Sequence, residues 1–140
     1  MKLYKLLPLF LFFSYSASAV PDKDFFVQKC YDNAIKIVNK DFDSYIKDFH
    51  PNAEAKEKAK KYLNKMFLKK ADKYNESIKT AGYEPEEFII INENENNFLF
   101  DIEKKVQVGI GFLNIKTGRS YFLCEFGLDK DTKKWYKTSI

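Results

Sequence analysis

The stretch from Val106 to Leu128, VQVGIGFLNIKTGRSYFLCEFGL, decides the fold class. Val106, Val108, Ile110 and Phe112 alternate with Gln107, Gly109 and Gly111, a period of two that puts one apolar face on a strand. Lys116-Thr117-Gly118-Arg119 then reads as a hairpin turn. Phe122, Cys124, Phe126 and Leu128 resume the alternation on the returning strand. Working outward, Asp129 to Lys134 is a second turn and Trp135 to Ser139 a last strand. Upstream, Phe98, Phe100 and Ile102 alternate in the same way. Asn92 to Asn97, NENENN, is a polar loop, and Phe88 to Ile91 is a short apolar run suited to a strand. Together these segments predict an antiparallel meander with one face on a core.

Before Pro85 the period is helical. Asp22 and Asp24 suit a helix N-terminus, and Phe26, Cys30, Ala34, Ile37 and Val38 form one apolar stripe behind them. Asp41 reads as the cap of a short second helix with Phe42, Tyr45, Ile46 and Phe49 on its apolar face, ended by His50-Pro51. Asn52 reads as the cap of a third helix. Its apolar positions run from Ala55 through Leu63, Phe67 and Tyr74 to Ile78, with Gly82 and Pro85 as the stop. Helices first and strands second predict an α+β fold, with N-terminal helices packed on a curved antiparallel sheet of four to five strands.

The first 19 residues have the order of a secretory signal. Lys2 and Lys5 form a positive start, Leu6 to Phe13 is apolar apart from Pro8, and Ala17-Ser18-Ala19 supplies the small residues of a cleavage site. The expectation is a signal peptide over residues 1–19 and a single exported α+β domain over 20–140, periplasmic or secreted. The apolar run falls short of the ~20 residues a spanning helix needs, and no later stretch supplies a transmembrane segment. The formal charge of +4 falls to +2 once Lys2 and Lys5 are removed, too little to point to nucleic acid. Export favours a disulfide between the two cysteines, Cys30 and Cys124, each on the apolar side of its element.

Little catalytic chemistry is visible. The single histidine, His50, excludes a two-histidine metal site, and no phosphate-binding, dinucleotide or nucleophile-elbow motif occurs. Asp129-Lys130-Asp131 lacks the glycine and closing glutamate of a calcium loop, and Glu93 and Glu95 read as loop polarity. No cofactor is expected. Lys58, Lys61, Lys65 and Lys69 follow helical spacing, which suits either an ordinary solvated helix face or a basic contact face for anionic lipid, lipopolysaccharide or an acidic protein.

Two stretches carry a resemblance. One is Cys30 to Pro51, CYDNAIKIVNKDFDSYIKDFHP, a helix followed by a K-D-F-D step and a short helix. The other is Val106 to Tyr136, with its K-T-G-R hairpin and the DKDTKKWY hairpin that ends on an aromatic pair. The chain thereby resembles the nuclear transport factor 2-like (cystatin-like cone) superfamily, in particular its small exported bacterial lumazine-binding-like members. The resemblance implies a curved sheet around the first helix and a cone-shaped cavity, which Phe98, Phe100, Val108, Ile110, Phe112, Phe122 and Phe126 would line. That superfamily includes isomerases, dehydratases, ligand binders and assembly modules, so the fold leaves function open. Enzymatic members similar to ketosteroid isomerase place carboxylates, tyrosines or histidines in the cone. Here the inner face is apolar, and Asp101 falls on the opposite face of its strand.

Three functional readings follow. The first is an exported, non-enzymatic module holding an apolar small ligand or a partner protein. The second is an inhibitor or immunity protein against an exported toxin or cell-wall enzyme. The third is a cone-type isomerase or dehydratase using Asp101, Glu103, Glu125, Tyr121 or Tyr136 for proton transfer.

Overall fold

The structure, a computed structural model, describes residues 21–74 and 77–140. The signal-like segment lies outside them. The described residues form four helices followed by a five-stranded antiparallel sheet that does not close, the α+β arrangement that the change of period implies.

Helix α1 (Lys23–Val38) starts where Asp22 accepts a hydrogen bond from the Phe25 amide at 3.0 Å, and its inner stripe buries Phe26, Cys30, Ala34 and Ile37. It ends as Lys40 takes a left-handed conformation (φ 57°). Helix α2 (Phe42–Ile46) is capped by the Asp41 carboxylate, which accepts from the Ser44 amide.

The third predicted helix differs from its reading in two ways. It divides into α3 (Asn52–Ala55) and α4 (Glu57–Tyr74), because Lys56 adopts an extended backbone between them. The break lets Ala53 and Ala59 both face the core. Asn52 is not the cap. Its side-chain amide donates instead to the Leu99 carbonyl at 2.7 Å. At the other end the helix stops at Tyr74, whose carbonyl accepts from both the amide and the hydroxyl of Ser77. Ile78 therefore begins a strand and pairs with Asn114. A buried apolar residue at that spacing satisfies a helix face or a strand start equally well, which is why periodicity misplaced it.

Strand β1 (Ile78–Ile91) contains Gly82 and Pro85, which the sequence reading made a helix stop. Register shifts flank both residues, and Gly82 has φ 78°. The strand order β1-β3-β4-β5 leaves β1 at an edge, where a proline is tolerated. The remaining strands are β2 (Glu95–Asn96), β3 (Asp101–Asn114), β4 (Ser120–Asp129) and β5 (Trp135–Lys137), with the short β2 paired to the start of β3. Phe98 to Phe100 is a bend rather than a strand. The Asn97 side chain accepts from the Leu99 amide, and the Asn97 amide donates to the Phe100 carbonyl.

The two hairpins form where expected. Asn114 organises the first: its side-chain oxygen accepts from the amides of Lys116 and Thr117, and Gly118 takes the required positive φ of 84°. Asp129 organises the second through the amide and hydroxyl of Thr132.

The inner sheet face packs on α1. The rings of Phe26 and Phe126 lie 5.5 Å apart, and Phe26 meets Trp135 edge-on at 5.0 Å. Tyr31 stacks on Tyr83 at 4.2 Å and donates to the Thr80 carbonyl, which fastens β1 to the helix. Cys30 and Cys124 form a disulfide across 94 residues, with Cα atoms 5.7 Å apart. In the chain-entropy account such a closure stabilises by about 4–5 kcal/mol. No helix among the described residues is long and apolar enough to cross a membrane.

Candidate functional site

The break at Lys56 and the bend at Phe98 together build a groove. Asn52 in α3 holds the Leu99 carbonyl, and the Leu99 side chain is buried beneath. The neighbouring Phe98 is thereby turned outward, beside the first turns of α4. Its ring meets that of Tyr62 edge-on, with centroids 6.1 Å apart. Both rings stay more than half exposed, Phe98 at 54% and Tyr62 at 55%. Beside this pair lies an open groove of about 660 Å³, lined by Lys56, Glu57, Lys58, Ala59, Tyr62 and Phe98. Its floor and walls are apolar and its rim is charged.

The rim charges are unequal. Glu57 is ion-paired with Lys61 one helical turn on, at 2.7 Å. Lys56 and Lys58 take part in none of the ion pairs among the described residues, and both are exposed. Lys65 and Lys69 continue the exposed side of α4 beyond Tyr62. The predicted basic face of Lys58, Lys61, Lys65 and Lys69 is thus a solvent-facing stripe, with the groove at its N-terminal end.

The predicted cavity lining divides. Phe98 does not belong to the inner sheet face; it is the outward wall of the groove. Phe100, Val108, Ile110, Phe112, Phe122 and Phe126 are buried core residues, and none of them borders the groove. Phe122 packs between Phe112 and Tyr74, and Phe112 stacks on Tyr31.

The groups weighed for proton transfer are scattered. Asp101 is exposed, and Glu103 pairs with Lys133. Glu125 accepts from Gln107 at 3.0 Å and pairs with Lys105 at 3.2 Å. Burial pushes its carboxyl up, but these partners outweigh burial and hold it below its usual range. The Tyr121 ring lies across Gly109, where a Cβ would collide with its hydroxyl end. That hydroxyl donates to Glu87 at 2.5 Å, and burial together with the carboxylate pushes it up to about 12. Tyr136 packs edge-on against His50, which itself stacks on Phe100. His50 accepts the Asn52 amide at Nδ1 and places Nε2 3.7 Å from the Asp129 carboxylate, joining the α2–α3 connection to the second hairpin. None of these groups lines the groove. Among the described residues no three His, Cys, Asp or Glu side chains gather in a metal-binding group.

Lys137 is the residue that sequence reasoning passed over. It is fully buried on the inner face of β5, with Nζ 5.5 Å from the Tyr45 ring centroid and 5.8 Å from that of Phe126. Burial, reinforced by Lys70, lowers its ammonium to about 7. Burial also pushes Tyr45 well above its ordinary value, and the Tyr45 hydroxyl has no hydrogen-bond partner among the described residues. The alternation Trp135-Tyr136-Lys137 was the available signal, since it puts Lys137 on the same face as Trp135.

No family model, curated protein or solved structure matches this chain.

Proposed function

We propose that the chain is an exported, non-enzymatic binding module that holds an apolar small ligand in the groove between α4 and the Phe98 bend. The observation that carries this reading is the pair of aromatic rings, each more than half exposed, facing one groove of about 660 Å³. Aromatic side chains left this open in a chain with a well-filled core leave apolar area for something else to cover. The volume falls within the ~300–1,000 Å³ of small-molecule sites. Among the described residues the one carboxylate lining the groove, Glu57, is engaged by Lys61, so the groove offers shape and apolar surface rather than an acid–base group. Export rests on the signal-like N-terminus and agrees with the disulfide. The resemblance to the nuclear transport factor 2-like superfamily is compatible with ligand binding, though here the groove lies outside the helix–sheet interior.

Native mass spectrometry of the protein purified from exporting cells tests this reading. A reproducible small-mass adduct that disappears in Phe98→Ser is expected. An adduct that survives Phe98→Ser, or its absence from both forms, would count against the groove.

A further inference from the structure

We infer that the ligand of this groove is an anionic single-chain amphiphile, its chain against Tyr62 and Phe98 and its acidic group at the lysine rim. The inference rests on the binding reading above and deepens it. Its basis is the imbalance of charge around an apolar slot. Of the groups lining the groove, Lys56 and Lys58 are cationic and outside every ion pair among the described residues. Glu57 is the single anion, and Lys61 offsets it.

Two further features act in the same direction. The groove lies on the first turn of the 18-residue helix α4, the end at which the helix dipole is positive. Lys65 and Lys69 extend the positive field along the exposed face. A neutral apolar ligand would leave these charges unused. A cationic one would be repelled. A carboxylate or phosphate at the head of an alkyl chain satisfies both the slot and the rim, with charge-assisted hydrogen bonds to ammonium groups.

The experiment is calorimetric titration of the disulfide-bonded protein with decanoate and decyltrimethylammonium below their micelle concentrations and decanol below its solubility limit. Decanoate should bind most tightly and weaken as salt rises from low to physiological strength. The double variant Lys56→Gln, Lys58→Gln should lose about tenfold in decanoate affinity, ~1.4 kcal/mol, and little for decanol. Both lysines are exposed, so this variant should fold; an unchanged unfolding midpoint in urea checks it. Equal binding of decanol and decanoate, with the double variant unaffected, would overturn the inference and leave the binding reading standing. Binding of none of the three would overturn both. Sedimentation with anionic vesicles in the absence of decanoate binding would assign the lysines to a membrane surface and also overturn the inference.

Discussion

Lys137 is held in a position where its charge is costly. Burial is the main cost, and Lys70 of α4 and Lys36 of α1 repel the ammonium, while Asp48, Glu125 and the ring faces of Tyr45 in α2 and Phe126 in β4 act in its favour without offsetting burial. Its folded-state value of about 7 lies below the ordinary lysine value of 10.5. The unfolded chain therefore binds this proton more tightly than the folded one. Stability from this group is lowest and flat below pH 7, and it rises as pH climbs from 7 towards 10.5. Wild type should thus be more stable at pH 9 than at pH 6 in urea unfolding. Lys137→Met should gain about 1–4 kcal/mol at pH 6 and lose most of the pH-dependent rise, a smaller part remaining from Lys70, which burial also lowers. A Met variant less stable than wild type at pH 6, or one with the same pH profile, would contradict this account.

At the scale of elements, the strands were legible because alternation, hairpin residues and burial agree from Val106 to Leu128. The cap at Asp41 was legible because a short acidic side chain ahead of an apolar stripe suits that use, whereas Asp22 read only as acidity at a helix N-terminus and its capping bond was not singled out from Asp24. What was not legible depends on contacts distant in sequence. Asn52 looks like a cap, yet Leu99 claims its side chain, and that long-range bond accompanies the break at Lys56 and the bend at Phe98. Phe98 fits the strand period of Phe100 and Ile102, but Asn97 turns the backbone there. Thus the groove, made by two deviations from local pattern, could not be read from either segment alone. The first hairpin offers an element-scale test. Asn114 is buried and holds Lys116, Thr117 and Ser120 with one side chain. Asn114→Ala should destabilise by about 1–3 kcal/mol in urea unfolding, and Asn114→Asp by less, since the acceptor is kept. An alanine variant with an unchanged midpoint would show that the turn is set by Gly118 alone.

At the scale of the whole molecule, α4 and β1 carry opposite exposed charge. Helix α4 carries the exposed Lys58, Lys65 and Lys69, while the edge strand β1 carries Glu84, Glu86 and Glu87. Of these two elements, α4 is the one that attracts anions, although the net charge is small. The disulfide ties α1 to the sheet on the inner face, beneath β3 and β4, so the interior is filled and pinned. The apolar surface left uncovered beside α4 is where the proposed ligand would sit. An amide chemical-shift map of residues 20–140, titrated with decanoate, tests this most directly. The account predicts shifts concentrated in residues 56–63 and 97–100. Shifts centred on Val108, Ile110 and Phe122 would place the ligand between helices and sheet and contradict it.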